Sequence, residues 1–576
     1  MSFGISDWFI LAAIVLLMLL TTGFAGSRRG VELMPWPDGL EYAASAVNLA
    51  KGRGAVLHFG GYTYPSRYTD GYPLILEFLH RISSAPMFLS STVLGILSVF
   101  FIWMLARTLF GRAAGLVAAL LLVLSPVFIT YSSLVMSDVP TLFVTICAAL
   151  MLATAAADDA PRSPDWLRIS QWLMFGLFAG FSTIIRPTNA TILAGLALCV
   201  AIVPFEHQGE KRNLRSLVNT AIGVAIGFAI PVAWQLHQNA KNLGSAFTSG
   251  YAWWVPEVYG AGGKTFSIAY LFGPTMPRNP HGNVLVYATT ILGLDGMLGD
   301  PGDPRYFLYP FAAAVFALFG FLAILRAPER ASARRLMWFG LGYLVALTGL
   351  YCFYLFTDVA FILPAAFVLF IAAGAGTARA NRWMREVLRS RHRSAGQFAA
   401  AACVIVLDLL LVVSLASEVV VRLSAHPAGS PMVDALESFD SKLPRDATVV
   451  SNISLQFLEL YLPSESRRFV GLNSLDPGEQ FTDYHLHRLY EKRAAGWNGP
   501  VPPVVFDGEQ IAPAAADSLA SAIGARTPVF LLLAAPETQQ YAGVLKGELD
   551  RLQEKFTVEP VMQNTSVALY RLTARK

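Results

Sequence analysis

The chain is 576 residues long, 55% hydrophobic and 14% charged, with a mean hydropathy of +0.50 and a formal net charge of +4. So little polar surface cannot cover one soluble globule, and a small positive charge gathered in short loops speaks for membrane topology and against nucleic acid. The four cysteines, Cys147, Cys199, Cys352 and Cys403, fall singly inside apolar runs, so spacing gives neither a disulfide framework nor a zinc site.

Taken in order, apolar runs of roughly spanning length lie at 8–26, 86–106, 113–131, 139–155, 171–185, 190–205, 217–236, 306–325, 336–356, 361–376 and 397–417. They predict an α-helical polytopic membrane protein of about eleven transmembrane helices. The first run has no basic leader and no small-residue cleavage site at its end, so it reads as a retained span. A cytoplasmic N-terminus puts Arg107, Arg112, Arg162, Arg168, Lys211, Arg212, Arg215, Arg326, Arg330, Arg334, Arg335 and the arginines from Arg379 to Arg393 on the inner side. The short outer turns then hold Arg186 alone. The expected place is the plasma (inner) membrane. A membrane domain covers 1–417, with extracytoplasmic loops at 27–85 and 237–305. The segment 418–576 follows as an extracytoplasmic α/β domain, its strands expected near 448–451, 528–534 and 567–572 and its helices near 454–461, 513–525 and 537–556. No glycine fingerprint, nucleophile elbow or HExxH occurs in that domain, and its role is not legible.

Between the first two runs lies a polar stretch, 35–76, which reads PWPDGLEYAASAVNLAKGRG and, further on, YPSRYTDGYPLIL. By itself Asp38-Gly39-Leu40-Glu41 is a capping box, with Asp at N-cap and Glu at N3 of a helix running toward Lys51. It is equally a carboxylate site just beyond a span, where a lipid-borne substrate can be met. The order Asp, Glu-Tyr, Ala-x-x-Leu and Ser-Arg-Tyr-x-x-Gly-Tyr-Pro-Leu resembles the first extracytoplasmic loop of GT-C glycosyltransferases. The branch is that of the protein O-mannosyltransferases and the lipid A aminoarabinose transferase. The resemblance implies inverting transfer of a hexosyl or pentosyl unit from a polyprenyl-phosphate donor to a lipid, glycan or protein acceptor, with Asp38 as general base and no cofactor. A divalent metal is not indicated. Tyr42, Arg67 and Tyr68 become substrate contacts. This chain departs from the relatives' Asp-Glu pair by having Gly39, which leaves Glu41 as a candidate second carboxylate, and it has Asp70 where many relatives have proline.

Further along, Asp138 in YSSLVMSDVP stands at the turn between the third and fourth runs. It is either the N-cap of a helix with proline in its first turn or the second acid that the resemblance implies. Arg186 in IIRPTN breaks the positive-inside bias and matches the relatives' Arg-Pro, which implies a phosphate contact; snorkelling is the plain alternative. The loop 237–305 is too long and too rich in Trp, Tyr, Gly and Pro for a connector. Lys264, Arg278 and His281 are its candidate phosphate or acceptor contacts, and Trp253 and Trp254 read as an interfacial belt. Where relatives place an arginine before Leu-Pro, this chain has Ala360 after Asp358, so the resemblance leaves two alternatives here, another cation or a different donor. Asp408 lies inside an apolar run and is expected to hydrogen-bond a neighbouring helix. In the cluster Asp483, His485 and His487, the first and last have i, i+4 spacing, which a solvated helix face explains better than a metal. A transporter and a non-catalytic scaffold are the rival classes. A transporter would want several paired intramembrane charges, whereas Asp408 is nearly alone.

Overall fold

Each apolar run falls on a helix. The computed structural model describes residues 5–26, 37–83, 87, 89–155, 165–202, 214–276, 279–294, 308–326, 331–390, 394–424, 436, 438–462, 467–471, 484–502, 506–507, 510–511, 528–534, 553–554, 556–563 and 567–575. The order opens with α1 (Ile5–Gly26), α2 (Pro37–Ala50), β1 (Val56–Phe59), β2 (Tyr62–Pro65) and α3 (Gly71–Ser83). Then come α4 (Leu89–Phe110), α5 (Arg112–Val123), α6 (Pro126–Ser132), α7 (Asp138–Ala155), α8 (Asp165–Ile185), α9 (Ile192–Ile202) and α10 (Leu214–Leu243). The second long loop holds α11 (Gly250–Trp254), α12 (Pro256–Tyr259) and α13 (Asn283–Ile291), and α14 (Phe311–Leu325), α15 (Ala331–Cys352), α16 (Leu363–Arg389) and α17 (Ala395–Ser424) complete the helical part.

Among the described residues six helices are long and apolar enough to cross a membrane, and α5 with α6, bent by 64°, makes a seventh. Pro126 supplies the break, because proline cannot donate to the turn before it. Shorter apolar helices at 7–21, 169–185, 187–202 and 311–325 occupy the remaining runs. At the centre, α16 packs on α4, α5, α7, α14, α15 and α17. Small residues let it approach: a Cβ on Gly376 would lie 1.9 Å from Phe316 O, and one on Gly320 2.0 Å from Ala372 O. Helices meet at such seams where lipid gives no hydrophobic drive. In contrast α17 exposes Leu409, Val412 and Val413, the face a bilayer would cover. Asp408 accepts a hydrogen bond from Asn381 Nδ2 of α16 at 3.3 Å, the interhelical bond its position calls for. At the start of α1, buried Asp7 pairs with Arg107 (2.6 Å) and Arg112 (3.0 Å), which puts those ends at one level.

After α17, which continues past residue 418 to Ser424, comes a strand-containing domain. It contains β3 (Thr448–Ser451), α18 (Leu455–Tyr461), β4 (Arg468–Gly471), α19 (Tyr484–Ala494), β5 (Phe506–Asp507), β6 (Gln510–Ile511), β7 (Val529–Ala534), β8 (Phe556–Gln563) and β9 (Val567–Ala574). The main sheet runs β4-β3-β7-β9-β8, its first three strands parallel and the β8–β9 hairpin antiparallel. Pro560 sits on the edge strand β8, where a missing N–H is tolerated. The helix expected at 537–556 ends in a strand instead, because Phe556 opens β8; most of it, and all of that expected at 513–525, lies outside the described residues.

One apolar cluster fills the membrane part. A second joins α2, β1, β2 and α3 to the tail domain through Leu57, Phe59, Tyr64, Trp254, Leu455, Phe457, Leu486 and Leu489. The first loop is thus built between two supports. On the membrane side Gly71 lies against the end of α8, where a Cβ would meet Ile184 O at 2.6 Å, and Thr69 Oγ1 donates to Ile185 O. On the other side Gly60 N donates to Glu459 (3.0 Å) and Tyr64 OH to Pro500 O (2.9 Å).

Candidate active site

The helix α2 begins at Pro37, so Asp38 stands in its first turn, half-buried, with its Oδ1 3.6 Å from Arg67 Nη2. Glu41, one turn on, does not fold back on the helix start as a capping box requires. Its carboxylate is fully buried and reaches across to the loop after β2. There Oε1 accepts from Ser66 Oγ (3.0 Å) and from the backbone N–H of Arg67, while Oε2 accepts from Arg67 Nε (2.6 Å). A further contact comes from the tail domain, His485 Nε2 at 3.1 Å. Burial alone would raise this carboxyl, but Arg67, His485 and the hydrogen bonds outweigh it and hold Glu41 down at about 2. Glu41 is therefore an ionised mount for Arg67, with its lone pairs already engaged. That explains why a reactive role for it, the sequence expectation, has little room.

Gly39 also gains a reason. A Cβ there would lie 3.0 Å from Val135 O, so the loop between α6 and α7 packs where a larger residue would stand. That loop carries Ser137, whose Oγ accepts from Tyr42 OH at 3.2 Å, and leads into Asp138. Asp138, buried, pairs through Oδ1 with Arg186, while its Oδ2 is buried without a hydrogen-bond partner among the described residues. Arg186 occupies the extended residue ahead of the 3₁₀ turn Pro187–Thr191, with its guanidinium 5.0 Å from the Phe361 ring centroid. Phe361 is the neighbour of Ala360, so Arg186 stands as a cation beside that turn. Asp358 caps the following 3₁₀ turn by accepting from Ala360 N (2.8 Å) and also accepts from Tyr131 OH.

Tyrosines join the two acid–arginine pairs. Tyr42 lies 4.4 Å from Tyr68 and 4.9 Å from Tyr72, ring centre to ring centre, and Tyr68 lies 5.3 Å from Tyr251. Arg67 sits 5.2 Å over the Tyr68 ring. Burial, against the Ser137 hydrogen bond, pushes the Tyr42 hydroxyl far above its ordinary value, with Asp38, Arg186 and Asp138 all close enough to bear on it. Asp38, Glu41, Tyr42, Arg67, Tyr68, Asp138 and Arg186 thus form one cluster. Lys264 and His281 are exposed and make no ion pair with it among the described residues, and Arg278 lies outside the described residues.

The tryptophans correct an expectation. Trp254 is buried, donates from Nε1 to Pro65 O (2.8 Å) and meets the His485 ring edge-on, while Trp253 packs on Trp497 and Lys492. They join loop to tail domain instead of forming an interfacial belt, because the tail covers them. His487 pairs with Glu491 at 3.3 Å, and Asp483 lies outside the described residues. Among the described residues no group of three His, Cys, Asp or Glu is placed to hold a metal ion. Sequence reasoning missed Ser137 and Tyr131, and it named Ser66 and Asp358 without giving either a role. Ser66 could have been taken from its motif; the others are brought in by packing.

Residues 71–234 match the family model described as dolichyl-phosphate-mannose-protein mannosyltransferase. No curated protein matches the chain by sequence. The structure is similar to that of ArnT from Cupriavidus metallidurans bound to undecaprenyl phosphate, with a TM-score of 0.61 at 13% identity over 99% of this chain and 98% of that one. It is also similar to the oligosaccharyltransferase AglB from Archaeoglobus fulgidus, in complex with an inhibitory peptide and a dolichol-phosphate. There the TM-score is 0.52 at 12% identity, over 98% of this chain and 74% of that one. The family match and the shared architecture together bear out the resemblance read from the first loop, and the chain has the GT-C glycosyltransferase fold, an α-helical polytopic membrane protein with a strand-containing C-terminal region.

Proposed function

We propose that the protein is an inverting glycosyltransferase of the plasma membrane that moves a sugar from a polyprenyl phosphate to an acceptor hydroxyl on the extracytoplasmic side. Asp38 is the general base. It takes the acceptor's proton as the oxygen attacks the anomeric carbon, the bond from that carbon to the phosphate oxygen breaks, and the polyprenyl phosphate leaves with the electron pair. A leaving phosphate gathers negative charge, which Arg67 and Arg186 are suited to meet by paired hydrogen bonds. Tyr42 and Tyr68, packed ring on ring at 4.4 Å, are the aromatic contacts proposed for the substrate. The observation that carries this reading is the juxtaposition of half-buried Asp38 with Arg67, beside a second acid–arginine pair that keeps an unspent carboxylate oxygen.

The donor carrier is supported by the undecaprenyl and dolichol phosphates bound to the two similar proteins. The acceptor class, whether lipid, glycan or protein, follows from neither. The test is turnover by purified, reconstituted protein offered a panel of polyprenyl-phosphate sugars and nucleotide sugars. Consumption of a lipid-linked sugar is expected, and turnover of a nucleotide sugar would overturn the donor class. Retained transfer by Asp38→Asn would reject the base.

A further inference from the structure

A carboxylate with no exposure must be neutralised and its lone pairs engaged, or it becomes costly. Glu41 meets this requirement with donors from Ser66 and Arg67, which belong to its own loop, and with one from His485, far away in sequence on α19. An ionised carboxylate can only accept, so the His485 Nε2 at 3.1 Å must carry the hydrogen. Arg67 works at both ends, with Nε on Glu41 at 2.6 Å and Nη2 3.6 Å from Asp38. The guanidinium is therefore divided between a buried acid and the half-buried acid of the site. Taking away the histidine donor leaves Glu41 Oε2 to Arg67 Nε, with Ser66 and the Arg67 N–H still on Oε1, so the pull of Oε2 on the guanidinium, against Asp38, would grow.

The histidine is itself rigidly mounted. Its ring meets Trp254 edge-on at 4.8 Å and Phe59 at 6.2 Å. The same helix is tied to the second loop through Arg488 and Glu257 (2.7 Å). We propose that His485 is a positioning residue: through its hydrogen bond to Glu41 the tail domain sets the direction of the Arg67 guanidinium, and with it the anion-binding side of the site. The consequence for substrate rests on the reading of Arg67 as a phosphate contact; the positioning itself does not.

The test uses the full chain in nanodiscs with His485→Gln, His485→Phe and His485→Ala. Gln keeps an N–H donor for Glu41; Phe keeps the packing on Trp254 and Phe59 but has no donor. One readout is hydrogen exchange at the Arg67 and Tyr68 amides, which bond to Glu41 and to Ser66 Oγ respectively. The other is affinity for undecaprenyl phosphate. We expect Phe and Ala to speed exchange and weaken binding about tenfold each, the size of one hydrogen bond to a charged group, while Gln stays within about threefold of the parent. A Phe variant equal to the parent, or a Gln variant as impaired as Ala, overturns the proposal. Should Phe not fold, His485→Met fills similar volume without a donor and takes its place. If the parent protein itself ignores undecaprenyl phosphate, the donor reading fails, and the exchange comparison still decides the positioning.

Discussion

Two carboxylate–arginine pairs, Glu41 with Arg67 and Asp138 with Arg186, are linked through the hydrogen bond between their neighbours Tyr42 and Ser137, and their carboxylates are engaged differently. Glu41 is saturated: a hydroxyl, a backbone N–H, a guanidinium and an imidazole all converge on it. Asp138 spends one oxygen on Arg186 and keeps the other buried without a hydrogen bond among the described residues. A saturated carboxylate has little left for chemistry and serves as a mount. An unsaturated one costs stability and persists where it meets a substrate. Asp38 completes the contrast, being half-buried and near Arg67 without a close bond to it.

The largest effect falls on Asp38. Asp38→Asn is expected to cut transfer at least about 100-fold, the usual share of a general base, while the melting temperature in detergent stays near the parent's. Loss of folding along with activity would make Asp38 a mount as well and erase the contrast. Next comes Glu41→Gln, which leaves the Arg67 charge without its buried partner. It is expected to lower unfolding stability by about 3 kcal/mol, measured by chemical denaturation of the purified protein. Asp138→Asn sharpens the comparison, with a loss of transfer of about tenfold or more and, because among the described residues the side chain engages one donor where Glu41 engages four, a smaller loss of stability than Glu41→Gln. Equal losses of stability in the two variants would remove the distinction.

The pH dependence of the mount follows from the sign of its shift. A carboxyl held down at about 2 against an ordinary 4.5 contributes stability that is complete above about 4.5 and is lost as pH falls toward 2. Nearby Asp70 behaves oppositely. Burial pushes its carboxyl up to about 7, against the Gln235 hydrogen bond, so the folded state binds its proton more tightly than the unfolded chain does. Stability is then drained between about 4 and about 7 and stays low above. Asp70→Asn is expected to raise the melting temperature at pH 8 and leave it unchanged at pH 4; no difference between the two pH values would reject this. The smallest effect is expected of Gly39→Ala, whose methyl must move Val135 O from 3.0 Å, at about 1 kcal/mol in the same denaturation assay.

The helical part was readable because spanning length and apolar composition are local, additive properties, and among the described residues each run contributes a helix. The first loop was readable because its Asp, Glu-Tyr and Ser-Arg-Tyr elements lie in one stretch, and Asp38, Glu41, Tyr42, Arg67 and Tyr68 do converge. Which carboxylate is mount and which is left available was not readable. Glu41 is decided by His485, Asp138 by Arg186, and the fates of Trp253 and Trp254 by the tail domain that covers them. Composition and periodicity report which face of a segment avoids water. Hydrogen bonds and ion pairs between groups hundreds of residues apart depend on direction and distance, and those exist only once the chain has closed on itself.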